Sequence, residues 1–238
     1  PPPPPPPPPP PHFFFHPHAA TPDAQESRGL GDVYKRQKTS HKEKKTMANS
    51  SSTGFGLKPI KMYGNGYENM GLGEYPVAAS SDPIYFQDAV CQATTGYVIV
   101  GIATTVDIIG SLNGVFFTDA TTSKPTFANN LKGSNTATDI VGFVSDDPYE
   151  RFEIQSDNTL ASAQTDVFMN YDILYTAGDS ANYVSKVELD DSTVSTTSGQ
   201  LKVMGVTTNI DNNDLTTSNV NFVVTINEHF YKAAVAGI

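Results

Sequence analysis

Two stretches of the chain alternate apolar and polar side chains with a period of two, and that period dictates strands. Val167, Met169, Tyr171, Ile173 and Tyr175 occupy every second position, with Asn170 and Asp172 between them. Val220, Phe222, Val224 and Ile226 do the same against Asn221, Thr225 and Asn227. Successive strand side chains point to opposite faces, so each run builds one apolar face and one polar face. Shorter runs fit the same element. Tyr97-Val98-Ile99-Val100 lies between Gly96 and Gly101, and Ile140-Val141-Gly142-Phe143-Val144 ends at Asp146-Asp147-Pro148, which favours a turn. Phe152-Glu153-Ile154-Gln155 alternates as the returning strand, and Leu201 and Val203 open another. Asn113-Gly114, ahead of Val115-Phe116-Phe117, reads as a hairpin turn.

Helix signals are few. Ser, Thr and Asn are abundant, and all three are mediocre inside helices. At most a turn or two is expected over Lys232 to Ala236. The polar clusters Ala120 to Ser123, Asn129-Asn130, Asp190 to Ser198 and Asp211 to Asn219 read as loops. The expected fold is all-β, one antiparallel domain over residues 82–238 with long loops, barrel or sandwich-like. Many strands with edges to protect favour a closed barrel.

Residues 47–81 have neither period. Phe55, Leu57, Pro59, Ile60, Tyr63, Tyr67 and Tyr75 are interspersed with Gly54, Gly56, Gly64, Gly66, Gly71 and Gly73. Such a segment cannot bury its aromatics against itself, and pure disorder is normally poor in aromatics. It is expected to be an extended arm lying along its own domain or a neighbour, and those seven side chains are the candidate contacts.

Composition changes near Met47. Ahead of it lie thirteen of the 18 prolines, seven of the 15 Lys and Arg, and four of the 25 Asp and Glu. The remaining 192 residues therefore carry 8 basic and 21 acidic side chains, a net charge of −13. Pro1 to Pro11 is low-complexity sequence, and Ser27-Arg28-Gly29-Leu30-Gly31-Asp32-Val33-Tyr34-Lys35-Arg36-Gln37 resembles the conceptual translation of a sequencing adaptor. Residues 1–46 read as a translation artefact and are expected to be disordered. Three phenylalanines are too short an apolar run for a secretory signal.

The acidity argues against a nucleic-acid partner, which normally demands clustered Lys and Arg. Lys58, Lys61, Lys124, Lys132, Arg151, Lys186, Lys202 and Lys232 are scattered, with no strand face collecting them. The same charge disfavours anionic membranes, and no stretch approaches the roughly 20 apolar residues of a spanning helix. Cys91 is the only cysteine, without a partner for an internal disulfide.

Catalytic patterns are missing from the sequence. His229 is the one histidine after Met47, and no Gly-x-Ser-x-Gly elbow presents a serine to it. Asp146-Asp147 and Asp190-Asp191 are adjacent pairs, read as turns facing water rather than a glycosidase pair across a sugar ring. Asp211-Asn212-Asn213-Asp214 invites a calcium reading, but Thr216 stands where the loop needs glycine and Phe222 where it needs glutamate. No catalytic, cofactor-binding or metal-binding residue is assigned.

An ordered series of motifs carries a resemblance. It runs Ser52-Thr53-Gly54-Phe55-Gly56-Leu57-Lys58-Pro59, Ile108-Ile109-Gly110, Asn113-Gly114-Val115-Phe116-Phe117 and Asp139-Ile140-Val141-Gly142-Phe143-Val144. It continues with Asp146-Asp147-Pro148, Phe152-Glu153-Ile154-Gln155, Asn170-Tyr171-Asp172-Ile173, Gln200-Leu201 and Ile226-Asn227-Glu228-His229. Together these resemble the virion structural or capsid decoration (cement) proteins of marine tailed phages. The resemblance implies a non-enzymatic component of the phage particle, made in the host cytoplasm, that contacts the major capsid protein non-covalently and possesses scope for homo-oligomerisation. The alternative within the same β framework is a receptor- or glycan-binding module of a tail appendage, to which Tyr149, Tyr183 and Tyr231 would contribute.

Overall fold

Period-two alternation works only where one face of a strand is wet, and the fold shows where that holds. The computed structural model describes Asn49 and residues 51–62, 71–79, 82–157 and 163–233. The readings of residues 1–46, Tyr63 and Tyr67 lie outside them. Two antiparallel sheets stack as a sandwich. The first contains β1 (Lys58–Met62), β8 (Glu150–Gln155), β12 (Asn221–Ile226), β11 (Leu201–Val206), β9 (Asn170–Leu174) and β10 (Glu188–Ser195), in that spatial order. The second runs β2 (Gly73–Pro76), β7 (Val141–Ser145), β5 (Ile108–Thr118), β3 (Ala89–Gln92) and β4 (Val98–Val100), with β6 (Pro125–Ala128) on the far half of β5.

The alternating runs behave as the period requires. Phe222, Val224 and Ile226 enter the core between the sheets beside Tyr171 and Ile173, all buried. Val167, Met169 and Tyr175 pack on that core from beyond the ends of β9. The second sheet differs, because β3 and the start of β5 are covered on both sides. Ala89 and Ile108 face the inter-sheet core, whereas their neighbours Val90 and Ile109 face a second core with Val77, Val100, Leu112 and Val144. A strand buried on both faces has no wet side and so loses its alternation.

The sheets do not close into a barrel, so the sandwich reading holds and the closed sheet does not. A single bridge, Val77 to Val98, brings the end of β2 against β4 and curls the second sheet. Edges are protected without closure. β1 carries Pro59, exposed Lys58 and Lys61, and a register shift between Pro59 and Lys61, all of which discourage edge-to-edge pairing.

Two local expectations are corrected. Asn113-Gly114 makes no hairpin. It lies inside β5, where the register against β7 shifts between Leu112 and Gly114, and the Phe127 ring lies where a side chain at Gly114 would go. Asp190 to Ser195 is not a loop but most of β10, with Leu189 and Asp191 turned inward and Asp190 opposite Asp172. The one helical turn described is a 3-10 turn at Gln164–Asp166. Of the turn expected over Lys232 to Ala236, Lys232 and Ala233 are not helical, and residues 234–236 lie outside the described residues.

Candidate interaction surface

The described part of residues 47–81 lies on its own domain. Asn49 binds the loop between β11 and β12: its amide donates to the carbonyls of Ser218 (2.7 Å) and Asp214 (3.2 Å), and its side-chain oxygen accepts from the Asp214 N–H. The Ser51 carbonyl accepts from Gln155 Nε2 (3.0 Å) and Asn212 Nδ2 (2.8 Å). Gly56 and Leu57 then thread a slot, donating to Val187 O and Gln87 O. Of the seven candidate contacts, Leu57 is fully buried and cannot meet a partner without leaving its own core. Phe55, Pro59, Ile60 and Tyr75 are half-buried. Pro59 and Ile60 belong to β1 and Tyr75 to β2, so the segment supplies one outer strand to each sheet.

Over β2, β7, β6 and the far half of β5, the face of the second sheet turned away from the second core is different in kind. Directly opposed residues in an antiparallel pair share a face, and the register sets four apolar side chains in one row across four strands. Pro76 stands opposite Val141, Val141 opposite Phe116, and Phe116 opposite Phe127. Phe143 adds a second ring, 5.7 Å from that of Phe127. Phe127 is 66% exposed and Phe116 40%. Their inward neighbours Val115 and Val144 are buried, so the rings stand on a rigid base. Glu74, opposite Phe143, and Asp139, whose carboxylate accepts from the Thr118 N–H, border the patch.

Sequence reading missed this row because Phe116 and Phe127 are eleven residues apart and only the β5–β6 register joins them. The basic residues show the same effect. Lys61 faces Arg151 and Lys202 faces Thr225, while Lys232 Nζ lies 3.5 Å from Thr225 Oγ1. One face of the first sheet therefore does gather four cations that are dispersed along the chain. Beside them Glu153 pairs with a fifth cation, Lys58, at 3.1 Å.

No family model, curated protein or solved structure matches the chain. Function must therefore be argued from the geometry.

His229 is 1% exposed, and its Nδ1 accepts from the Tyr231 N–H at 3.1 Å. Burial, reinforced by the Lys232 charge, pushes its pKa down to about 4. It is a neutral structural histidine, not a base presented to solvent. Asp146-Asp147 forms the expected turn, with Asp147 Oδ1 capping the Tyr149 N–H. In the 211–214 loop, Asp214 Oδ1 is occupied by Thr216 and Asn212 by Ser51 and Asn219. Among the described residues no group of three His, Cys, Asp or Glu side chains is placed to hold a metal, and no helix is long and apolar enough to cross a membrane. Cys91 is buried, its thiol pushed up by desolvation.

Proposed function

We propose that the protein is a structural component of a virion, decorating or cementing a phage capsid by non-covalent contact with the major capsid protein. The observation that carries this reading is the row Pro76–Val141–Phe116–Phe127 on an exposed face of a braced sheet. Aromatic side chains that stay solvent-exposed on a rigid strand surface mark contact sites, because their burial on docking loses little conformational entropy. The acidic surface opposes self-aggregation at high copy number. The motif series resembling capsid decoration proteins supplies the choice of partner.

The test is to mix the protein with undecorated tailed-phage capsids and image them. Decorated shells are the expected result. Phe127→Asp is expected to weaken attachment by about 2 kcal/mol or more, the scale of an aromatic interface anchor. Ile210→Ser, on the exposed loop between β11 and β12, is expected to leave occupancy unchanged. Bare shells, or full occupancy by the Phe127→Asp variant, would sink the reading.

A further inference from the structure

One sheet edge is an exception to the protection seen at β1. The strands at the open ends of the sheets are β1, β10, β2 and β4, with β6 beside the far half of β5. β1 carries Pro59 and exposed Lys58 and Lys61, and β2 carries exposed Glu74. β4 is met by Val77 at Val98, and β10 by Ser156 at Leu189. Among the described residues β6 pairs with β5 alone, and no charged side chain lies between Lys124 and Lys132. An open, uncharged edge is a template for another strand.

The hairpin decides which backbone groups of β6 face outward. The Asp119 N–H donates to the Lys124 carbonyl at 3.0 Å, so this pair is hydrogen-bonded. Bonded and non-bonded pairs alternate along an antiparallel ladder. Thr118 with Pro125 and Phe116 with Phe127 are therefore non-bonded pairs, and Phe117 with Thr126 and Val115 with Ala128 are bonded ones. The Thr118 N–H agrees, since it donates to Asp139 instead of to β6. Pro125 agrees too, because it has no N–H to offer β5. The outward edge then presents the Pro125 carbonyl, the Phe127 N–H and carbonyl, and the Asn129 N–H, in that order.

This order is its own complement about a twofold axis at Phe127. The Phe127 N–H meets the carbonyl of the partner's Phe127, and the Asn129 N–H meets the carbonyl of the partner's Pro125, each bond made twice. Every outward group in that order finds a mate, and Pro125 contributes only its acceptor. Opposed residues share a face, so the two Phe127 rings stand side by side. The row Pro76–Val141–Phe116–Phe127 continues into its copy. Phe127, 66% exposed in the single chain, gains an aromatic neighbour.

We propose that β6 is a self-association edge, through which a second copy of this chain adds antiparallel to form a twofold dimer with one sheet running through both subunits. Pairing uses up the edge on each copy, so assembly stops at two. So short an edge buries less than the roughly 1,200–2,000 Å² of a standard interface, which makes the dimer a weak one. The pairing is independent of the capsid reading, and either can fail while the other stands.

The test is sedimentation equilibrium of the full chain from about 10 μM to about 1 mM, with amide hydrogen exchange at both ends of that range. The mass is expected to rise from monomer to dimer. The Phe127 and Asn129 amides should slow as it does, while those of Thr126 and Ala128, bonded to β5, are protected throughout. Asn129→Pro deletes an outward donor and leaves every ring of the row in place. It is expected to weaken dimerisation about tenfold or more, with retained Thr126 protection showing an intact hairpin. Asn129→Lys, which puts a charge on the bare edge, should do the same, and Ile210→Ser should change nothing. The proposal is overturned by a monomer mass up to the highest concentration, by a dimer that survives both Asn129 variants, or by dimerisation that leaves the Phe127 and Asn129 amides exchanging as in the monomer.

Discussion

Gly56→Ala is expected to destabilise the protein by about 2–4 kcal/mol, through a residue that sequence reading assigns to an extended arm. Gly56 has φ +80, where a Cβ costs an L-residue roughly 1 kcal/mol. That Cβ would lie 2.2 Å from the Gln87 carbonyl oxygen and 2.6 Å from Ser185 Cβ. Neither wall can retreat cheaply. The Leu57 N–H donates to the same Gln87 oxygen at 2.9 Å, and the Gly56 N–H donates to Val187 O at 3.1 Å. Overpacking a fixed site adds about 1–3 kcal/mol. Gly205→Ala is the control, since no atom lies within 4 Å of its added Cβ, and a change within about 0.5 kcal/mol is expected. Urea midpoints of the two variants measure the difference. If Gly56→Ala lost less than Gly205→Ala, residues 51–57 would not be seated as described. The result bears on any truncation: removing residues 47–81 takes away Leu57, β1 and β2, so lost capsid binding by such a chain would report unfolding. Point variants of exposed rings are the usable probes.

The second large effect is a pair of opposed pH dependences. Asp88 is fully buried, and desolvation raises its pKa to about 6, although Ser185 and the Tyr85 N–H pull the other way. A carboxyl raised in the folded state adds stability that is fully present below its unfolded value near 4 and lost as pH rises through about 6. His229 runs in the opposite sense. Held down to about 4 by burial and Lys232, against Asp146 and Asp147, it adds stability present above about 6.5 and lost as pH falls through about 4. Each contribution is on the order of 2–3 kcal/mol, and over pH 4–6.5 they largely cancel. Asp88→Asn removes one of them, so this variant is expected to lose about 2–3 kcal/mol relative to wild type as pH falls from 6.5 to 4. His229→Asn, whose side-chain oxygen can still accept from the Tyr231 N–H, should lose a similar amount relative to wild type as pH rises across that window. Denaturation at pH 4 and 6.5 reads both. Parallel pH profiles for wild type and both variants would show that neither group is linked to folding.

Legibility in the sequence followed exposure to water. The strand holding Phe222, Val224 and Ile226 was readable because Val223 and Lys202 on the outer side meet solvent at least in part. β3 carries buried Ala89, Val90 and Cys91 in succession, and that run has no period to detect. β10 was read as a loop because Asp190, Asp191 and Ser192 are poor strand formers, yet Leu189 anchors the strand and Asp191 is turned inward. The Asn113-Gly114 dipeptide carried a true local preference that β7, pairing across it on one side, overrode. β1 and β2 were invisible for another reason: their stability comes from partners about 70–95 residues away, Glu153 for Lys58 and Phe143 for Glu74.

The sequence by itself determined that the chain is a β protein and that most of its polar clusters punctuate the strands. Those properties are carried by single residues and their near neighbours. The tertiary structure alone decided that the sheets stack open rather than close, that Gly56 sits in a slot, and which rings stand together on the surface. Each of these depends on register between strands far apart in the chain, and register is set by the packing of two cores that no local window contains.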